Sequence, residues 1–250
     1  MKVNAVKQRL AAGQPVVGIN AALGSAEAAG FLARAGFDLI LVDNQHGNWD
    51  DTTSLQAFQR ITLEGCTPFT RVRKNDFYAI GRMLDRGALG VVVPFVNSVE
   101  DAQAAAFSMR YPPRGGRSYG FTLAEYHGAG YGEWIDDQVY LGVQIESAEA
   151  VARAEDILAV EGVDGCWIGP TDLAASLGTQ RGTQAHVDAI LSVLAACRKV
   201  GKVPGIHTYG VADAQRWLDA GFRFVTVAAE IGLLLDGSKQ ALRALGRLSE

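Results

Sequence analysis

Eight short runs rich in Val, Ile, Leu and Phe recur along the chain, each followed by a longer segment of helical period. This alternation narrows the fold more than any other feature. The runs are VVGIN (Val16 to Asn20), LILVD (Leu39 to Asp43), TPFTR (Thr67 to Arg71), GVVVPF (Gly90 to Phe95), YLGVQIE (Tyr140 to Glu146), GCWIG (Gly165 to Gly169), VPGIH (Val203 to His207) and FVTVA (Phe224 to Ala228). Runs this apolar predict strands buried on both faces, as in a parallel sheet. SAEAAGFLARAG, after the first run, opens on Ser25 with an acid in its first turn and stops at Gly36, and several later segments also end in AG or RG before the next run. Eight βα units with no Pro/Gly-rich linker between halves predict an α/β chain folded as one (β/α)₈ TIM barrel over residues 1–250. A doubly wound open sheet is the rival. It calls for a glycine-rich phosphate loop after the first strand, and NAALGSAEA does not match GxGxxG.

Composition closes off other classes. The 48% of hydrophobic residues suffices for a full core, and the net charge of −4 is scattered with no basic stripe, which argues against a nucleic-acid partner. No apolar run is long enough to span a bilayer, and MKVNAVKQRLAAG lacks the uninterrupted apolar stretch of a signal peptide. Cys66, Cys166 and Cys197 have no metal-type spacing; their odd number fits reduced thiols in the cytoplasm. One connection is unusually long. YPPRGGRSYGFTLAEYHGAGYGEWIDDQ, between Arg110 and Tyr140, is expected as a structureless functional loop or interaction surface on the C-terminal face, held by its aromatics.

Barrel chemistry gathers where strands end. Those ends carry Asp43, Gln45 and His46, then Arg71, then Gln144 and Glu146, then Asp172 within GPTDLAASLG, then His207. Two carboxylates on consecutive strands, Glu146 and Asp172, suit a hard divalent cation with oxygen ligands. The bland alternative is that Asp172 caps a helix start. Arg71 is a planar fork for a carboxylate or a carbonyl–carboxylate pair, or else the ion-pair partner of an acid such as Asp85. His46 is a general base oriented by Asp43, or a structural histidine. His127 and His186 have no assigned role, and His207 is structural or lines a pocket. Lys74 is the one plausible Schiff-base lysine, since Lys202 precedes its strand; this favours a metal as the electron sink.

LILVDNQHG, TPFTRVR, LDRGALGVVVPFVNSVEDA, RYPPRGGRSYG, VQIESAEAV and VEGVDGCWIGPTDLAASLG together resemble the HpcH/HpaI aldolase family, the class II pyruvate aldolases. The resemblance implies a divalent metal (Mg²⁺, Mn²⁺ or Co²⁺) on Glu146 and Asp172. It implies reversible cleavage of 4-hydroxy-2-oxo acids to pyruvate, or a related 2-oxo acid such as hydroxypyruvate, and an aldehyde. Arg71 would contact the keto oxygen. His46, paired with Asp43, would be the base, acting through a water. Gln144 would line the pocket, and backbone amides of the Gly169, Pro170, Thr171 turn, up to Asp172, would hold the carboxylate. It further implies a homohexamer, a trimer of dimers with the last helix exchanged between neighbours, in which the long loop and a neighbouring subunit cover the aldehyde end. Gln45, where many members carry Glu, and Asn20, where many carry Trp, are departures that bear on the aldehyde. The alternatives are a CoA-thioester lyase of the citrate-lyase-like branch, with Arg110, Arg114 and Arg117 as its basic cluster, and a non-catalytic barrel that binds 2-oxo acids.

Overall fold

A computed structural model describes residues 3–120 and 122–248. In chain order the elements are α1 (Ala5–Ala11), β1 (Val16–Ala21), α2 (Ala26–Arg34), β2 (Leu39–Asp43), α3 (Asp51–Leu63), β3 (Thr67–Arg71), α4 (Phe77–Arg86), β4 (Gly90–Val93) and α5 (Val99–Met109). A 3₁₀ turn (Leu123–His127) precedes α6 (Tyr131–Gln138), β5 (Tyr140–Ile145), α7 (Ala148–Ala152), α8 (Ala154–Ala159) and β6 (Gly165–Ile168). The chain continues through α9 (Pro170–Ser176), α10 (Gln184–Lys199), β7 (Gly205–His207), α11 (Val211–Ala220), β8 (Phe224–Ala229) and α12 (Glu230–Ala244). The strands pair in sequence order, all parallel, and β8 closes on β1. The expected (β/α)₈ barrel is therefore what forms. β4 stops at Val93, before Pro94, and β7 begins after Pro204; proline has no N–H to give the ladder.

The continuous apolar character of the strands has a direct cause. Alternate residues go to opposite faces, and both faces are buried. Leu39, Leu41, Phe69, Val92, Tyr140, Trp167 and Phe224 fill the barrel interior, and Val6 and Leu10 of α1 close it from below. Ile40, Val42, Val91, Val93, Leu141 and Val143 face outward against the helices. Phe69, Tyr140 and Phe224 meet with ring centroids 5.4–5.9 Å apart. Trp167 donates its Nε1–H to Thr226 Oγ1 at 3.3 Å and stands between this aromatic layer and the polar mouth.

The long connection differs from its sequence expectation in two ways. It is not structureless, since it contains the 3₁₀ turn and α6; Phe121 within it lies outside the described residues. It also does not lie at the C-terminal face. It leaves α5, not β4, so the helix has already returned the chain to the opposite end. Thr122 Oγ1 donates to the Asp85 carbonyl (3.0 Å), Tyr126 OH to Arg86 (3.0 Å) and Tyr131 OH to Leu84 (3.0 Å), all just ahead of β4. His127 Nε2 bonds the Gly87 carbonyl there at 2.8 Å. The aromatics do order it: Tyr111 stacks on Tyr119 at 4.1 Å, and the buried Arg117 guanidinium lies 4.6 Å from the Tyr111 ring centroid. Cys66, Cys166 and Cys197 are free and buried. Among the described residues no helix is long and apolar enough to cross a membrane.

Candidate active site

Asp43 and Arg71 end adjacent strands and are register partners, so their side chains leave the sheet on the same side. Arg71 grips Asp43 through two parallel bonds, Nε to Oδ1 at 2.8 Å and Nη2 to Oδ2 at 2.5 Å. The two side chains are only 9% and 6% exposed. Removing one partner of so buried a pair strands the other charge, at a cost of about 3–5 kcal/mol. Arg71 also sits 5.3 Å from the Trp167 ring centroid. Its expected alternative partner, Asp85, binds Arg117 instead at 2.7 Å. Asp43 does not orient the His46 ring. Its Oδ1 accepts the backbone N–H groups of Gln45 (3.1 Å) and His46 (3.3 Å), so it fixes the turn while neutralising Arg71. The His46 ring is left exposed at the rim.

Glu146 is 2% exposed. Its Oε1 accepts the Phe95 N–H at 3.0 Å, and its Oε2 accepts from Gln144 Nε2. Phe95 reaches it from a left-handed backbone, φ 53°, a conformation that non-glycine residues hold mainly under local constraint. Burial pushes the Glu146 carboxyl up to about 7; Asp172 adds to this, while the Phe95 N–H, Arg71 and Gln144 oppose it. Asp172 sits in the first turn of α9, whose start has no side-chain cap, so Asp172 is not the cap it resembles in sequence. A Cβ on Gly169 would come within 2.8 Å of both Gln144 Nε2 and Glu146 Oε2, which only glycine avoids. The donor set fits a hard cation. A buried acid pressed by a second acid is relieved by positive charge between them, and the buried Gln144 Oε1 beside them has no partner. Among the described residues no three His, Cys, Asp or Glu side chains cluster, so a cation here would rely on water and substrate to complete its shell, as Mg²⁺ sites do.

A cavity of about 220 Å³ opens at this end of the barrel. Asp43, His46, Arg71, Gly169, Pro170, Thr171 and Asp172 all line it. Glu146 and Gln144 sit one layer back, behind Gly169. The remaining wall is Asn20, Ala22, Trp167, His207, Tyr209 and Ala229. Wider surface grooves exist, one of about 770 Å³ near Gln56 and Tyr126, but they do not gather the ends of six strands. His207 bonds Thr226 Oγ1 at 2.9 Å; burial, then the nearby Arg71, hold it down to about 4, so it is neutral near pH 7. Trp167 and Tyr209 went unnoticed in the sequence. Alternation within GCWIG marks Trp167 as inward-facing, whereas Tyr209, bonded to Thr171 Oγ1 at 2.6 Å, carries no local signal. Lys74 is exposed and paired with Asp76 (3.6 Å), and Lys202 binds the Val163 carbonyl (2.6 Å) at the far end of the barrel. Neither lines the cavity.

The sequence model of the HpcH/HpaI aldolase/citrate lyase family matches residues 18–237. The chain is 38% identical over 244 residues to a pyruvate aldolase of Rhizobium etli, covering 96% of each chain. It is 37% identical to a hydroxypyruvate/pyruvate aldolase of Roseobacter denitrificans, covering 95% of each. Among solved structures, an HpcH/HpaI aldolase/citrate lyase family protein of Burkholderia cenocepacia superposes with a TM-score of 0.93 at 33% identity, over 97% of this chain and 99% of that one.

Proposed function

Because the chain belongs to the HpcH/HpaI aldolase/citrate lyase family, we propose that it is a divalent-metal-dependent class II aldolase. It cleaves a 4-hydroxy-2-oxo acid reversibly to an aldehyde and pyruvate, or a related 2-oxo acid such as hydroxypyruvate. The observation that carries this reading is the convergence of Arg71, His46 and Asp172 on one cavity, with the buried Glu146 immediately behind. Glu146 and Asp172 would hold Mg²⁺, Mn²⁺ or Co²⁺, which when bound supplies Lewis acidity that draws enolate charge onto oxygen. Arg71 spends Nε and Nη2 on Asp43 and keeps Nη1 for a substrate oxygen. Its charge, held without reorganisation above Trp167, stabilises negative charge as it develops, and each 1.4 kcal/mol or so is worth about tenfold in rate. His46, on the rim, takes the proton from C3 of the 2-oxo acid. The Gly169–Pro170–Thr171 turn brings backbone amides to the substrate carboxylate.

Proton exchange at C3 of pyruvate, followed by NMR in deuterated buffer with Mg²⁺ or Mn²⁺, tests the reading. EDTA should abolish exchange and added metal restore it. Full exchange in excess chelator would overturn metal dependence and turn attention to an imine at Lys74, which borohydride would trap. His46→Ala should lose exchange while still binding metal; unchanged exchange would remove His46 from the mechanism. The CoA-lyase alternative would need a basic groove beside the cavity, and the groove lined by Lys7, Arg110, Arg114 and Lys202 opens elsewhere. Arg114 and Arg117 are engaged with Asp137 and Asp85, and Arg110 bonds the Gly162 carbonyl near Asp164, all at the end of the barrel away from the cavity.

The protein is further read as a cytoplasmic homo-oligomer, a hexamer built as a trimer of dimers with α12 exchanged between neighbours. The free thiols and the exposed leucines of α12 support this.

A further inference from the structure

Glu230 is an acid that the mechanism does not use. It opens α12, yet it is 6% exposed and is the one buried residue of that helix. Its Oε1 accepts two backbone N–H groups from the loop after β1, Ala22 at 2.5 Å and Leu23 at 2.7 Å. Two amides on one carboxylate oxygen make a charge-assisted clamp, stronger than a neutral pair. The clamped loop is itself locked to the loop that carries His46. The Ala22 carbonyl accepts the Asn48 N–H at 2.8 Å, and the Ala21 carbonyl accepts Trp49 Nε1 at 2.8 Å. There is no slack between the two loops. Gly24 holds φ +76°, and a Cβ there would lie 2.1 Å from the Asn48 carbonyl oxygen. Ala22 and Ala229, on either side of the clamp, both line the catalytic cavity with His46.

We propose that Glu230 is a positioning residue: it couples the seating of α12 to the placement of His46, through the 22–24 loop and Asn48. The inference rests on the aldolase reading for its catalytic consequence, but the coupling itself does not. Without the clamp, the 22–24 loop loses its outer support, and Asn48 and Trp49 lose a fixed acceptor. His46 then samples positions away from the substrate carbon, and displacements of about 1 Å at a reacting group cost up to about a hundredfold in rate. Substrate binding through the 169–171 turn and Arg71 changes less, because neither is bonded to the 22–24 loop and Arg71 meets the His46 turn only through Asp43.

Two variants separate geometry from charge. In Glu230→Gln the side-chain oxygen still accepts both amides; in Glu230→Ala nothing does. Amide hydrogen–deuterium exchange of the 44–50 segment, read by mass spectrometry, should speed up about tenfold in Glu230→Ala and stay near wild type in Glu230→Gln. Proton exchange at C3 of pyruvate should fall about tenfold or more in Glu230→Ala, with the KM for pyruvate within about twofold, and Glu230→Gln should recover most of it. Wild-type protection of the 44–50 segment in Glu230→Ala would overturn the coupling. So would a fall in activity carried wholly by KM, or a Glu230→Gln variant as impaired as Glu230→Ala. An inactive wild-type protein whose 44–50 segment still loosens in Glu230→Ala would sink the aldolase reading and leave the coupling standing.

Discussion

At the scale of single residues, the decisive contact is the buried fork between Arg71 and Asp43. Sequence adjacency suggested that Asp43 serves His46, three residues away. The neighbouring strand wins because register places Arg71 directly opposite, and a guanidinium offers two aligned donors where a ring offers one. Asp43→Asn should therefore damage the enzyme through Arg71. Its loss in kcat should match that of Arg71→Lys, and the double variant should be no worse than either alone, a non-additivity that a double-mutant cycle reads directly. His207 gives a pH signature. The unfolded chain protonates it near 6.5, while the fold holds it neutral down to about 4. Between those values the unfolded state binds more protons, so stability falls as pH falls from 6.5 toward 4. The His207 share is on the order of 2 kcal/mol, allowing for its partial exposure. Melting temperatures from pH 4 to 8 should drop more steeply for the wild type than for His207→Asn.

At the scale of elements, strands were legible and their surroundings less so. Runs such as LILVD and TPFTR coincide with β2 and β3 because burial on both faces leaves an unbroken apolar signature. The segment after α5 was misplaced because its aromatics advertise packing but not which end of the barrel they pack against. Tyr126 and Tyr131 find their partners in the carbonyls that end α4, contacts with no sequence mark. Glu230 was hidden for another reason. An acid at a helix start is ordinary, and only the fold reveals that it turns back onto β1. The turn from β6 into α9 was legible in GPTDLAASLG, and its glycine has a testable purpose. Gly169→Ala would push a methyl against Gln144 and Glu146. Mn²⁺ affinity, measured by electron paramagnetic resonance, should weaken about tenfold or more while the circular dichroism spectrum stays that of the wild type.

At the scale of the whole molecule, a closed barrel has no free sheet edge, so the proposed association would use helices or loops. α12 is the outstanding candidate. Leu233, Leu234, Leu235 and Leu242 are all exposed along it, a concentration of apolar side chains that lone chains seldom leave in water. Leu234→Glu should lower the mass seen by light scattering. If α12 seats on a neighbour, Glu230 makes that contact felt at His46, and the disassembled variant should lose C3 proton exchange along with its mass.

The packed interior sets a rule of traffic. Phe69, Tyr140, Phe224 and Trp167 pack the axis below the cavity, so among the described residues it is closed toward the barrel interior and opens at the mouth. Two products made at its floor cannot depart by separate exits. In the proposed reaction the 2-oxo acid is the fragment that Arg71 would hold, so the aldehyde would vacate first. Steady-state cleavage should then be ordered, with pyruvate competing against the parent 2-oxo acid and the aldehyde inhibiting noncompetitively.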